Sequence, residues 1–349
     1  MSFLRQGSRA ISIFALLVCL SPNGAQAAVL SAGDLHSLAV RPNGMVAGWG
    51  SNFFGESSGG SAGTNVVAIA SGKYYHNLAL HSGESVSAWG FDGSGETEAP
   101  GGASFIAIAA GSDHSLALTS AGQVVGWGWN GPDDAPDYRA DGSRAGSGNV
   151  AIAAGGEFSA ALKSNGAIVA WGVSDEGQTN VPGPNAGFAT ISAGFNHGLA
   201  LTRSGFVVGW GNNDDNQISV PGGGNFAAIA GGFNYSLGLR NDGTVTGWGY
   251  NWDGVTGGPA FNSDIVAIAA GNYHAIALRS DGTLTAWGNN FSGQAAAPAG
   301  IYGPSVAIWN SPEGGNFLGS YNWLHETPST AVSDAFFGVP TDPESTAMP

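Results

Sequence analysis

Cysteine is all but missing from this 349-residue chain, which has one, Cys19. Basic residues are scarce too: 10 Lys and Arg stand against 25 Asp and Glu, a formal net charge of −15. Charged residues of both signs reach only 10 per cent of the chain, where roughly 25 per cent is usual. The apolar stretch Ile11–Leu20 is too short for an ordinary membrane-spanning helix. Each shortage excludes something. One cysteine builds no disulfide framework and no cysteine metal site. So few Lys and Arg cannot neutralise a nucleic-acid backbone. No strict Gly-X-Y period runs through the chain, so it is not collagen-like.

Glycine is present in excess, 59 residues, beside 43 per cent hydrophobic residues and 11 tryptophans. Each glycine inside a helix costs about 1 kcal/mol relative to alanine, which argues against a helical bundle. The hydrophobic fraction is enough for a core, which argues against disorder. A β protein punctuated by glycine remains.

Residues 1–27 read as a secretory signal peptide. Arg5 and Arg9 supply the positive start, Ile11–Leu20 the apolar stretch, and Ala25-Gln26-Ala27 an A-x-A cleavage site. Cleavage would remove Cys19 and both arginines, leaving 8 basic and 25 acidic residues, net −17. The protein is therefore expected to act outside the cytoplasm, secreted or periplasmic, with no membrane span after cleavage.

Tryptophan reveals the internal repeat. A Trp-Gly pair recurs at Trp49, Trp89, Trp127, Trp171, Trp210, Trp248 and Trp287, at spacings of 40, 38, 44, 39, 38 and 39 residues. An aliphatic residue stands nine residues before each: Val40, Leu80, Leu118, Leu162, Leu201, Leu239 and Leu278. A fixed interval with alternating apolar residues is what a hairpin locked in register requires. Its turn carries Asn43-Gly44, Ser82-Gly83, Ala121-Gly122, Asn165-Gly166, Ser204-Gly205, Asp242-Gly243 and Asp281-Gly282. These pairs suit a tight hairpin with positive φ at both central positions. Each copy holds four short strand-like segments and no room for a helix. Seven such units predict an all-β fold, a seven-bladed β-propeller of four-stranded antiparallel blades over residues 28–308. Val306–Ile308 is expected to close the ring beside Ala28–Ala32. Residues 309–349 do not repeat and read as a flexible tail.

Antiparallel order places the loops after the first and third segments of every copy on one face. That face collects aromatics and carboxylates. The candidate partner-binding residues are Tyr74, Tyr75, Asp113, Trp129, Asp133, Asp134, Phe195, Phe233, Tyr235, Tyr250, Trp252, Tyr273 and Phe291. Hairpin geometry does not need aromatics on loops, whereas binding hot spots favour them. The acids would steer basic partners. The opposite, hairpin face reads as small and polar.

Other motifs carry nothing. His36, His76, His114, His197 and His274 head the second segment of five copies, but two copies have Phe158 and Tyr235 there. Equivalent atoms on different blades are too far apart to share one ion, so these histidines are expected to bond nearby backbone groups. Gly55–Gly59 and Gly59–Gly63 match G-x-S-x-G, and Gly126–Gly131 matches G-x-G-x-x-G, without the helix either motif needs. Asp133-Asp134 and Asp214-Asp215 lack calcium-loop spacing. No catalytic residue, metal or cofactor is assigned, and a non-enzymatic binding protein is expected.

The pattern A-G-x-x-H-S-L-A-L, D-G-x-V-x-A-W-G, N-x-x-G-Q and V-P resembles the regulator of chromosome condensation repeat superfamily, from Ala28 to about Pro298. The short uninterrupted units are similar to the bacterial propeller-type β-lactamase inhibitory proteins. That resemblance implies a bacterial, monomeric inhibitor whose loop face meets a β-lactamase or penicillin-binding protein. Tyr74, Tyr75 and Tyr273, and also Phe195 and Phe233, match the family's contact position. The longer loop from Trp129 to Asn149 departs from the family. A carbohydrate or cell-envelope binding module is the alternative, and an enzyme with a site at the propeller mouth a third.

Overall fold

Alternating apolar residues between glycine turns fold as strands because blade packing buries their side chains, on both faces in the middle strands, and the turns supply conformations strands cannot. The computed structural model describes residues 19–20, 26–129 and 142–303. Seven three-stranded antiparallel sheets follow one another along the chain. Their inner strands are Leu30–Ala32, Val66–Ser71, Phe105–Ala110, Asn149–Ala154, Phe188–Ala193, Phe226–Gly231 and Ile265–Ala270. The middle strands are His36–Val40, His76–His81, His114–Thr119, Phe158–Lys163, His197–Thr202, Tyr235–Arg240 and His274–Arg279. The outer strands are Val46–Gly50, Val86–Gly90, Val124–Gly128, Ile168–Gly172, Val207–Gly211, Val245–Gly249 and Leu284–Gly288, each carrying a repeat tryptophan. Each inner strand packs against the next, and that of blade 7 returns to blade 1, so the propeller is closed.

Among the described residues the expected fourth strand does not form. In blade 1 the segment after Gly50 coils on itself: Gly55 adopts φ 81°, and its N–H donates to the Asn52 carbonyl at 3.2 Å. Asn52 Oδ1 accepts the Ser57 N–H at 3.0 Å. Donors that a fourth strand would offer to the ladder are used locally. The segment works instead as a bolt. Its Glu56 carbonyl accepts the Trp89 indole N–H of blade 2 at 3.1 Å. Glu96, Gln178, Gln217, Val255 and Gln294 accept the next blade's tryptophan in the same way.

The hairpin turns also differ from expectation. Within the blade 1 hairpin turn, residues 42–44, only Gly44 has positive φ, 73°, while Arg41 N–H donates to Met45 O and Gly44 N–H to Arg41 O. This is the three-residue hairpin that ends in one left-handed residue, not the two-residue form. In blade 2 that position falls one residue after Gly83, on Glu84 at φ 63°. Leu80 still faces Val86, so the register is unchanged.

Ring closure rests on residues just before those proposed from sequence; Val306–Ile308 lie outside the described residues. Inner strands two to seven begin with a residue whose N–H donates to the preceding hairpin, as Phe105 does to Glu84 O at 2.9 Å. Blade 1 lacks this residue in its own strand. Tyr302 takes the place, donating to Gly282 O at 2.8 Å, and Gly303 N–H donates to Val40 O at 2.8 Å. Tyr302 is 2 % exposed and packs with Leu30, Ala32, Ala39, Ile276 and Leu278. Blade 1 is thus assembled from both ends of the ring.

Candidate functional site

The loops between inner and middle strands are set by what lies over them. At Gly33 a Cβ would come within 2.3 Å of the His36 ring, so glycine is required for close approach rather than for backbone conformation. The five recurring histidines are buried, and Nε2 of each meets a side chain of the next blade. His36 Nε2 meets Asn77 Oδ1 at 2.7 Å, and His114, His197 and His274 meet Ser159, Ser236 and Ser37 at 2.9, 2.8 and 2.7 Å. Ser115 Oγ lies 3.2 Å from His76 Nε2. Burial lowers the pKa of His76, His197 and His274 to about 3 and of His114 to about 4.

Two blades depart from this pattern, and their neighbours compensate. After Phe158 the next blade has Gly198, where a Cβ would strike Trp210 at 2.2 Å. After Tyr235 it has Ala275, and the Tyr235 hydroxyl donates to backbone at Gly271 O and His274 O, 3.0 and 2.6 Å away. Tyr235 is fully buried. It belongs to the interior and leaves the candidate surface set.

The loops themselves are stitched around the ring by backbone hydrogen bonds, Lys73 N–H to Gly111 O, Ser112 to Gly156, Gly156 to Phe195, Phe195 to Gly232, Phe233 to Asn272 and Asn272 to Gly33. On this girdle the aromatics form a continuous chain. Phe233 lies 4.4 Å from Phe195 and 5.4 Å from Tyr273, ring centre to ring centre. Tyr74 of blade 2 reaches Phe195 of blade 5 at 6.3 Å and Tyr75 at 6.4 Å. Tyr75 continues to Phe54 at 5.2 Å, and Phe54 to Phe91 and Phe53 at 5.0 and 4.9 Å. Tyr250 and Trp252 stack separately, 6.5 Å apart and 22° from parallel. Phe53, Trp252 and Phe291 are 86, 81 and 94 % exposed.

Carboxylates sit among these rings. Asp34 accepts from Asn272 Nδ2 at 3.0 Å and from the Tyr75 hydroxyl at 3.3 Å, and burial raises its pKa. Burial also raises that of Asp113, helped by Glu96 and Glu157. Tyr74 is raised by burial and by Asp113, Glu157 and Asp34. Of the residues singled out from sequence, Tyr74, Tyr75, Phe195, Phe233 and Tyr273 come together in one chain of rings. Tyr250, Trp252 and Phe291 stand apart from it, and Trp129 is half-buried. Asp133 and Asp134 lie outside the described residues. Phe53, Phe54, Phe91, Asp34 and Lys73 were not selected. Lys73 had a legible signal: its loop alone has four residues, Gly72–Tyr75, before the strand, where the others have three.

The hairpin face is not uniformly small and polar, because Phe206, in a hairpin, is 57 % exposed and Met45, in another, 44 %. Among the described residues no helix is long and apolar enough to cross a membrane.

Segments 29–56, 105–131, 150–178, 188–217 and 265–294 match the Regulator of chromosome condensation (RCC1) repeat. No curated protein matches. Similar solved structures share the fold. The ectodomain of the Physcomitrella patens receptor kinase CR4 has TM-score 0.62 and 22 % identity, covering 74 % of this chain and 71 % of that one. The CRINKLY WD40 ectodomain of Arabidopsis thaliana ACR4 has TM-score 0.60 and 21 % identity, covering 76 % and 97 %. Prp20p of Saccharomyces cerevisiae, studied for its binding to Gsp1p and histones, has TM-score 0.60 and 20 % identity, covering 73 % and 83 %. The five matched segments show that this chain carries repeats of the regulator of chromosome condensation type, on a closed ring of antiparallel blades.

Proposed function

We propose that the protein is an exported, non-enzymatic scaffold that binds a protein partner through its aromatic and acidic loop face. The observation that carries this is the chain of rings from Phe53 to Tyr273 on a hydrogen-bonded girdle. A surface held rigid before binding loses little entropy on association, and exposed aromatics are favoured anchors. The carboxylates Asp34, Asp113 and Glu157 around Tyr74 favour a basic segment in the partner. The test is capture of partners by the purified protein, compared with a Phe54→Ala/Tyr74→Ala variant and a Phe206→Ala control on the other face. Loss of binding by at least ~30-fold in the first variant alone is expected for hot-spot residues. Equal binding by all three overturns the assignment.

A β-lactamase or penicillin-binding enzyme is one concrete partner class, resting on sequence resemblance alone. A panel of such enzymes assayed for hydrolysis with micromolar protein decides it, and unchanged hydrolysis removes that class. Export predicts a mature amino terminus at Ala28, read by terminal sequencing. A sugar-binding reading has one observation of its own, the stacked Tyr250–Trp252 pair. Glycan binding abolished by Trp252→Ala would favour it.

A further inference from the structure

The seven inner strands enclose a central channel of about 190 Å³. Its walls are mostly alanine and isoleucine, with Ser31, Ser71, Ser192 and Lys73 as the polar side chains. Among the described residues no carboxylate lines it, although the chain carries 25 acids against 10 Lys and Arg. The polar groups gather at one end. Ser31 pairs with Leu38 and Ser192 with Leu199, the same level of the strand ladder, and Ser71 is one residue further toward the loop face. The extra residue in the blade 2 loop carries Lys73 across the ring, where Nζ donates to Gly231 O of blade 6 at 2.9 Å.

Every group at this end has donor capacity to spare. Ser31 Oγ accepts the Ser71 N–H at 2.7 Å and Ser192 Oγ accepts the Gly231 N–H at 3.1 Å, which leaves their hydroxyl hydrogens to donate. Ser71 Oγ is buried with no partner among the described residues. An ammonium has three N–H donors, and one carbonyl takes one of them. Lys73 is 6 % exposed. A buried ammonium without a counter-charge is costly.

We propose that the loop-face end of the channel binds a small monovalent anion, of halide or formate size, through the Lys73 ammonium and the hydroxyls of Ser31, Ser71 and Ser192. The space admits such an ion with several waters, each needing about 30 Å³. Among the described residues, a pocket lined by an ammonium and three hydroxyls and by no carboxylate favours an anion over a cation and gives the ion the counter-charge it needs. Burial lowers the pKa of Lys73 to about 8. Binding requires the charged form, so it weakens as pH rises through that range, and a bound anion raises the value. This site is independent of the partner surface.

The test uses the purified protein at pH 7 with sodium bromide at constant ionic strength, balanced by sodium HEPES as a bulky organic anion. The unfolding midpoint is expected to rise by roughly 3 °C at ten times the dissociation constant and to go on rising with the logarithm of bromide concentration above it. Lys73→Met should abolish the rise. If that variant does not fold, Ser71→Ala keeps the charge and should weaken bromide binding roughly 3- to 10-fold. Bromide-soaked crystals of the unaltered protein should show an anomalous peak beside Nζ and a serine hydroxyl. The same bromide response in Lys73→Met, or only water beside Nζ in those crystals, overturns the proposal.

Discussion

Replacing Tyr302 by alanine tests whether blade 1 depends on the far end of the ring. Tyr302 is buried to the same extent as Phe105, each 2 % exposed, and both hold the first position of an inner strand. Truncating a buried aromatic to alanine costs about 3–5 kcal/mol, the transfer term plus the cavity left behind. The Arg41 guanidinium stands 5.1 Å from the Tyr302 ring centre, a contact worth about 0.5–1 kcal/mol. The backbone bonds to Gly282 and Val40 survive the substitution, so the loss measured is that of the side chain. About 4 kcal/mol is a large part of a typical total of about 5–15 kcal/mol. It corresponds to a fall in unfolding midpoint on the order of 10 °C. Urea denaturation of Tyr302→Ala beside Phe105→Ala is the assay. Closely similar losses are expected because the two positions are equivalent. A Tyr302→Ala loss below about 1 kcal/mol, with Phe105→Ala costing its full amount, would refute the claim that the C-terminal segment completes blade 1.

Three further outcomes follow from particular residues. Glu84→Gly should stabilise by about 1 kcal/mol, because Glu84 sits at φ 63° where the six other hairpins use glycine; an unchanged or lower urea midpoint contradicts this. Ser37→Ala should cost about 1–3 kcal/mol, since Ser37 serves both His274 Nε2 and the Gln294 carbonyl in the interior; thermal unfolding reads it. Stability should fall as pH drops from about 6.5 toward 4. The buried histidines have folded pKa values of about 3 to 4, below the ordinary 6.5, so below 6.5 the unfolded chain binds protons the folded one refuses. Asp34 and Asp113, raised by burial, act in the opposite sense but are fewer. A urea midpoint as high at pH 5 as at pH 7 would contradict the balance.

The propeller was legible because its signals are spacings. The nine-residue interval before each tryptophan runs from the end of a middle strand through the turn to the far end of the outer strand, and register preserves it even where Glu84 replaces the usual glycine. The missing fourth strand was not legible. Its apolar residues and glycine look like strand punctuation, and only the Asn52 side chain and the φ of Gly55 show the donors turned inward. The ring's closing residue was hidden differently. Tyr302 has no partner pattern beside it in sequence, because its blade-mates lie more than 250 residues away.

The loop face was legible as a composition and not as a geometry. Sequence order separates Tyr74 from Phe195 by three blades, and nothing local says that one ring crosses to the other. Tyr235 shows the converse error, since an aromatic in a loop-adjacent position looked available while its hydroxyl bonds interior carbonyls. The information that would have separated them was present. Every buried histidine faces a Ser or Asn one residue past the head of the next middle strand, while Phe158 and Tyr235 face Gly198 and Ala275. Phe158 has no ring nitrogen to bond and the Tyr235 hydroxyl goes to backbone, so neither needs a polar side chain on the next strand, and that match marks Tyr235 as interior. Tyr74 is free of this pairing because it lies in the extra residue's loop, which moves Lys73 into the channel and lifts the next ring onto the face. One inserted residue in one repeat thus accounts both for the cation at the centre of the ring and for the aromatic that bridges it.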